Sequence, residues 1–463
     1  MTRRSAVAPW LALLLLSAPV SAQQGTPGLA PTVADSGSAP ADTLTLGAAI
    51  QGALQKSPDI ASKRAALSGA AADRLAAWGA FLPTATADLR LSRTSATRAT
   101  FQDSLGVPGR VAQNVSSVTQ FSSQGLSFSL DLLRGGRRFA ELGATASEGR
   151  AAGLRLTDAE RTAVSTVKQS YFAALLEQRL ADMAAAQLEA RRQDLDVTRR
   201  RYQIAAVDRS DLLGAQVQVR QAELALADAR GAARDAVRKL EVDMGRPGTL
   251  PVGIALHDVG SLPDADSLDA DALVRRALGE NPALLAFKAD AAAASSREWS
   301  ARSQYLPTIS VGLDLSRSEA LGPSGSFFTF NPSDHSNGFF VSARWNLFNG
   351  FTRHQQAAQA AVAENQALAS HAQKSHEIER DVRNLVAEVK RRQDRLGLQR
   401  QVAELSRQRV ALAREQFRLG TLNFIELQSV IDQATSADRA VAQELHDARV
   451  AWARLEALVG AGR

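Results

Sequence analysis

The sequence predicts a mainly α-helical chain with a small β part, built as two copies of one unit. Three observations predict it. Short motifs recur in the same order at fixed offsets along the 463 residues. Two long segments, about 136–203 and 351–418, carry uninterrupted apolar heptads. Four short segments alternate apolar and polar residues with the period of a strand.

The chain begins MTRRSAVAPWLALLLLSAPVSAQQ. Arg3 and Arg4 form a basic start, an apolar run ends at Leu13 to Leu16, and Val20-Ser21-Ala22 is a small-residue cleavage site. This predicts a signal peptide over 1–22; a retained anchor is the weaker reading, because the apolar core is short. Residues 23–42 are rich in Pro, Gly, Ser and Ala, the composition of a flexible N-terminal segment. There is no cysteine, which excludes lipoprotein acylation, disulfides and thiolate metal sites. Removing Arg3 and Arg4 lowers the formal charge from +6 to +4. Export and the spread of Arg along the helices argue for solvated helix faces and against nucleic acid.

The repeat sets the domain plan. Ala53-Leu54 with Ser57-Pro58 matches Ala277-Leu278 with Asn281-Pro282, and Phe81-Leu82-Pro83 matches Tyr305-Leu306-Pro307, both at an offset of 224. LSFSLDLLRGGRR (126–138) matches VSARWNLFNGFTR (341–353) at 215, as do Met244-Gly245 and Val459-Gly460. The nine-residue change falls between the matched strands and predicts a longer loop there in the first copy. The copies span 43–245 and 264–460. The Pro- and Gly-rich stretch 246–263 links them and cannot continue a helix.

Each copy reads helix, strand, loop, strand, very long helix, break, helix. The first helices cover about 43–80 and 266–304. The long helices extend roughly 100 Å at 1.5 Å per residue, more than an ordinary globular core needs.

Leu-Pro at 82–83 and 306–307 ends a helix and begins extended chain. Beyond it, Ala85, Ala87, Leu89 and Leu91 take one face of a strand, and Ile309, Val311, Leu313 and Leu315 do so in the second copy. The return strands place Leu126, Phe128, Leu130 and Leu132, then Phe339, Val341, Ala343, Trp345 and Leu347, on their apolar faces. Alternation alone also fits a soluble sandwich. With the signal peptide and the long helices it fits strands facing lipid on one side and a lumen on the other. No apolar run after Ala22 reaches the roughly 20 residues of a spanning helix. Four strands close no usable pore and leave open edges, so several chains must complete one barrel: two give eight strands, three give twelve.

Each long helix carries two seams. One runs through Val167, Ala174, Ala181, Leu188, Leu195 and Tyr202, with Val382, Val389, Leu396, Ala403, Val410 and Phe417 in the second copy. The other runs through Leu176, Met183, Ala190, Val197 and Ile204, with Leu398, Leu405, Leu412 and Leu419. The two lie about 200° apart around the axis, which suits a helix standing in a wall between neighbours; inner helices of a soluble bundle share the property.

The breaks YQIAAVDRSDLL (202–213) and FRLGTLNFIELQ (417–428) match at offset 215. Asp208 and Asn423 are positioned as N-caps, with Asp211 and Glu426 as capping-box acids. Repeated by symmetry near a narrow point, the same acids would draw cations. Arg209 is a candidate partner for Glu426 or Asp211.

The duplicated layout, the two Leu-Pro sites, LDLLRGGRR with WNLFNGFTR, the aromatic-x-x-Gly turn of FRLGTLNFIEL and the closing Leu455 to Gly460 together resemble the TolC-like outer-membrane efflux proteins over about 43–460. The resemblance implies a homotrimer with a twelve-stranded barrel in the outer membrane and a long helical coiled-coil barrel in the periplasm. It implies a passive duct docked to a periplasmic adaptor and an inner-membrane transporter. The breaks then become turns at the periplasmic tip, and Glu426 matches an acid that narrows the family's closed entrance. A second family acid is replaced by Ser429, an arginine of the family's latch by Leu422, and a turn glycine by Ala205. Tyr202 and Phe417 read as seam-end packing. Gly420-Thr421 and Ala206-Val207 are candidate adaptor contacts. Leu89, Leu91, Phe128, Leu130, Val311, Leu313, Val341 and Trp345 are the candidate lipid-facing positions.

An enzyme finds no support. HEIER (376–380) has Arg where a zinc motif needs its second His, His371 and His376 diverge on a helix, and no phosphate-binding loop motif occurs. No metal site or cofactor is expected. A periplasmic coiled-coil scaffold or adaptor remains the alternative; it would share the heptads but need no paired amphipathic strands.

Overall fold

The computed structural model describes residues 43–101, 112–248, 255–257, 260, 262–321 and 335–460. The predicted signal peptide and flexible segment, 1–42, lie outside the described residues.

The first copy contains β1 (Thr43–Leu44), α1 (Leu46–Lys56), α2 (Pro58–Gly79), β2 (Thr84–Phe101), β3 (Ala112–Arg134), α3 (Arg137–Gln203) and α4 (Arg209–Asp243). The second contains β4 (Ala255–Leu256), α5 (Ala270–Glu280), α6 (Pro282–Arg302), a 3-10 turn (Ser303–Tyr305), β5 (Thr308–Leu321), β6 (His335–Arg344), α7 (Thr352–Leu419) and α8 (Phe424–Val459).

The first helix of each copy, expected as one piece, is two. Pro58 and Pro282 each open a new helix at its first position. There the missing N–H costs nothing and the fixed φ suits a helical start, but the preceding residue is pushed out of the helical region. Ser57 and Asn281 accordingly have ψ of 126° and 119°.

The long helices α3 and α7 run through two layers. In one layer the packing order is α2–α3–α6–α7, and in the other α4–α3–α8–α7. Short helices therefore meet end to end beside the long ones. Asn281 Nδ2 donates to Leu458 O at 2.9 Å, tying the start of α6 to the end of α8. At the matching joint, Gly245 has φ +68°, and a Cβ there would stand 2.6 Å from Lys56 O. Around these joints lie two related cores. One gathers Ala49, Ala53, Val167, Tyr171, Leu240 and Met244. The other gathers Val274, Ala277, Leu284, Val382, Val386 and Leu455. In the first, β1 and β4 pair in parallel, and the Tyr171 hydroxyl lies 2.8 Å from the carbonyl oxygens of both Leu44 and His257.

The four longer strands form an antiparallel sheet in the order β2-β3-β5-β6. The nine additional residues of the first copy lengthen β2 and β3, not the connection between them. The intervening segments 102–111 and 322–334 lie outside the described residues. Among the described residues no helix is long and apolar enough to cross a membrane.

Candidate functional site

At the far end of the helical wall, both long helices stop on the same backbone device. Ala205 N donates to Tyr202 O at 3.0 Å and Ala206 N to Arg201 O at 2.8 Å. In the second copy Gly420 N donates to Phe417 O at 3.1 Å and Thr421 N to Gln416 O at 3.0 Å. This is the Schellman pattern, which needs a left-handed residue after the helix. Gly420 has φ +82° and Ala205 φ +58°. Ala205 thus adopts the glycine conformation, and the two turns do not differ in hand.

The next helices begin as their cap residues dictate. Asp208 Oδ1 accepts from Asp211 N at 3.0 Å. Asn423 Oδ1 accepts from Glu426 N at 2.8 Å, and Glu426 returns the bond by accepting from Asn423 N at 3.4 Å. Both acids remain near solvent. Burial, then repulsion from Asp208, raises the Asp211 carboxyl above its ordinary range; Arg201 partly offsets this. Arg209 is exposed and, among the described residues, forms no ion pair with either acid. It is the first residue of α4, while Arg201, one helix earlier, acts on Asp211.

The two seam-end aromatics separate. Phe417 is 6% exposed and joins Ala215, Ala413, Phe424, Leu427, Val430 and Ile431 in a tip core. Tyr202 is 40% exposed, because that end of its seam has no covering element in the single chain. Arg201 supplies the link between the copies. Its Nη1 donates to Phe417 O at 2.8 Å, and its guanidinium lies 4.6 Å from the Phe417 ring centroid. Deeper in the wall, the buried Arg191 reaches from α3 to Gln428 and, at 2.6 Å, to Asp432 Oδ1 on α8. Ala206, Gly420 and Thr421 are exposed and Val207 is half-exposed.

At the other end, the register sorts the sheet by chemistry. Leu89, Leu91, Phe128, Leu130, Val311, Leu313 and Val341 share one face: Phe128 pairs with Leu313, Leu130 with Val311, and Leu313 with Phe339. The other face is mainly polar, although it also carries Phe121 and Phe340. Thr84 and Thr86 hydroxyls meet those of Ser129 and Ser127 at 2.7 and 2.8 Å, and Ser310 meets Ser342 at 2.7 Å. Three expected positions shift. A bulge between Asp131 and Leu133 takes Leu132 out of the ladder and puts Leu133 opposite Ile309. Trp345 and Leu347 follow the last residue of β6, Arg344; the Trp345 indole instead donates to Tyr305 O at 3.0 Å.

Where sheet meets helix, each copy repeats one arginine. Arg138 donates to Ala80 O at 2.8 Å, to Leu132 O at 2.9 Å and to Asp131 O, and lies 5.0 Å from the Phe81 ring centroid. Its counterpart Arg353 donates to Leu347 O at 2.8 Å and lies 4.9 Å from the Tyr305 ring. No sequence motif flagged these arginines, nor Arg191 and Arg201. The internal repeat contained the signal for the first pair; Arg201 has Gln416 at the matching place and stood out only by that difference. Among the described residues no cluster of His, Asp or Glu could hold a metal ion.

The family model for the outer membrane efflux protein matches residues 49–246 and 273–461, one match per copy. The chain belongs to that family. As an outer membrane efflux protein it resides in the outer membrane, with its helical part in the periplasm. Protein CyaE of Bordetella pertussis is 30% identical over 240 residues, 48% of this chain; the chain spans about half the length of that relative, 49%. Two of the solved structures that share the fold illustrate it. The Campylobacter jejuni CmeC outer membrane channel is 15% identical with a TM-score of 0.75, over 90% of this chain and 85% of that one. The outer membrane protein VceC of Vibrio cholerae is 17% identical with a TM-score of 0.73, over 90% and 96%. This outer membrane efflux protein therefore shares the fold of those two chains.

Proposed function

We propose that this chain is one protomer of a passive exit duct, the outer-membrane channel of a tripartite efflux pump or type I secretion system. The apolar face shared by all four strands carries the reading. Its sheet has two free edges, β2 and β6. Open edges are not tolerated in hydrocarbon, so the edges pair with those of neighbouring chains. Three chains give twelve strands, as the family resemblance implies. Trp78, Phe139, Trp299, Trp345, Phe348 and Phe351 stand exposed around the junction of sheet and helices. That matches the aromatic girdle at a membrane interface.

The helical wall is unfinished in the same way. Leu398, Leu405, Leu412 and Leu419, the outer seam of α7, are 62 to 65% exposed. Leu213, Val217 and Leu224 stand exposed on α4, at the opposite edge of that layer. Heptad leucines at one edge and apolar residues at the other suit successive protomers in a ring. At the tip, Glu426 and Asp211 then line the entrance, and the exposed turns at Ala206-Val207 and Gly420-Thr421 meet the periplasmic adaptor, which links the duct to an inner-membrane transporter.

Fractionation and planar-bilayer recording test the reading. The duct needs detergent for release from outer membranes, runs as an SDS-resistant oligomer until heated, and conducts. A periplasmic scaffold would be released without detergent and form no channel. Glu426→Gln with Asp211→Asn should change conductance or cation preference; unchanged values would leave these acids as caps alone.

A further inference from the structure

We propose that the polar face of the sheet carries an anion-binding station at its helical end, built on Arg134, Arg137 and Arg344. The three line one cavity of about 470 Å³, between the last turns of the sheet and the start of α3. Arg134 and Arg344 lie in one cross-strand row, on either side of Thr308. The next row holds Asp131, Ser310 and Ser342, so the cavity has three guanidinium groups and one carboxylate.

The carboxylates near these arginines leave most of their donors open. Arg134 meets Asp131 through Nε at 2.6 Å, and Arg137 meets Glu141 through Nε at 2.6 Å. Both pairs are substantially exposed, and such pairs yield readily to a competing anion. Arg344 is exposed and forms no ion pair among the described residues. A guanidinium presents a planar fork of N–H donors that fits phosphate, sulfonate or carboxylate oxygens two at a time. The hydroxyls of Ser310 and Ser342, joined at 2.7 Å, add neutral donors to the floor. The class of ligand is a small solute with two or more negative charges.

The inference rests on the duct reading, which puts the polar face in the lumen and repeats the station in every protomer. It also gives the duct two stations of opposite sign, acids at the tip and arginines below the barrel.

The test is single-channel recording in planar bilayers, with inorganic pyrophosphate added on the barrel side. The wild type should be blocked, and Arg134→Gln/Arg137→Gln/Arg344→Gln should need at least tenfold more pyrophosphate for half-block. Arg344→Gln alone, which breaks no ion pair among the described residues, should shift the block in the same direction, and Arg344→Lys should shift it less. A wild-type channel that pyrophosphate does not block, or equal block in Arg344→Gln, overturns the station while leaving the duct intact. Absence of any wild-type channel overturns the duct reading, and the station with it.

Discussion

Arg201 on α3 donates to the carbonyl of Phe417 on α7 and covers the ring of the same residue, 2.8 Å and 4.6 Å away respectively. One side chain thereby joins the ends of the two long helices across the repeat. Losing a charge-assisted bond and a cation–π contact together costs about 1–3 kcal/mol. Arg201→Ala should therefore loosen the tip, raising mean conductance or open probability in bilayers. Arg201→Lys keeps the charge but not the planar stacking and should fall between. Equal conductance in all three would show that the contact does not restrain the tip.

Arg138 holds three carbonyl oxygens where the chain leaves β3 and enters α3. Arg138→Ala leaves those acceptors without their charged donor, at a cost of about 3 kcal/mol. The temperature at which the SDS-resistant oligomer dissociates should drop. Arg353→Ala should lower it less, because Arg353 is more exposed and its bond to Gln304 O is long at 3.5 Å.

Ala205 occupies the left-handed region that Gly420 occupies in the other copy. An L-residue there carries a penalty of roughly 1–2 kcal/mol, partly offset by its stiffer unfolded chain. Ala205→Gly should raise thermal stability by up to about 1 kcal/mol, read as a higher melting temperature. Gly420→Ala should lower it.

Asp194 on α3 is half-buried, and its Oδ2 has no hydrogen-bond partner among the described residues. Burial holds its carboxyl above the ordinary range despite Arg414 and Arg191. The folded state thus binds this proton more tightly than the unfolded chain. The ionised form is penalised above the folded pKa, and the penalty vanishes as pH falls below the unfolded value of about 3.8. Asp194→Asn should stabilise the protein at pH 7, with the gain shrinking toward acid. A gain independent of pH would assign the effect to packing.

The long-range plan was legible because the repeat prints it twice. Heptads marked α3 and α7, and period-two alternation marked all four strands and their apolar faces, short of Leu132, Trp345 and Leu347. Leu-Pro marked the strand boundaries, and Ser/Asn-Pro divides the segments expected as single helices over about 43–80 and 266–304. What stayed hidden depends on geometry between distant segments. The bulge at Leu132 follows from cross-strand pairing, which alternation cannot reveal. The burial of Phe417 against the exposure of Tyr202 depends on which seam finds a partner within the chain. Arg201 and Arg138 act on backbone carbonyls, and a carbonyl acceptor leaves no mark in the sequence.

In the proposed duct the open sheet is sealed only by its neighbours, β2 of one chain against β6 of the next. The chain has no cysteine, so Leu89→Cys on β2 and Val341→Cys on β6 can be joined by a short bis-maleimide without background. The account predicts a ladder of one, two and three chains that stops at three, and no cross-linking when either cysteine is omitted. A product confined to single chains, or a ladder running past three, would contradict it.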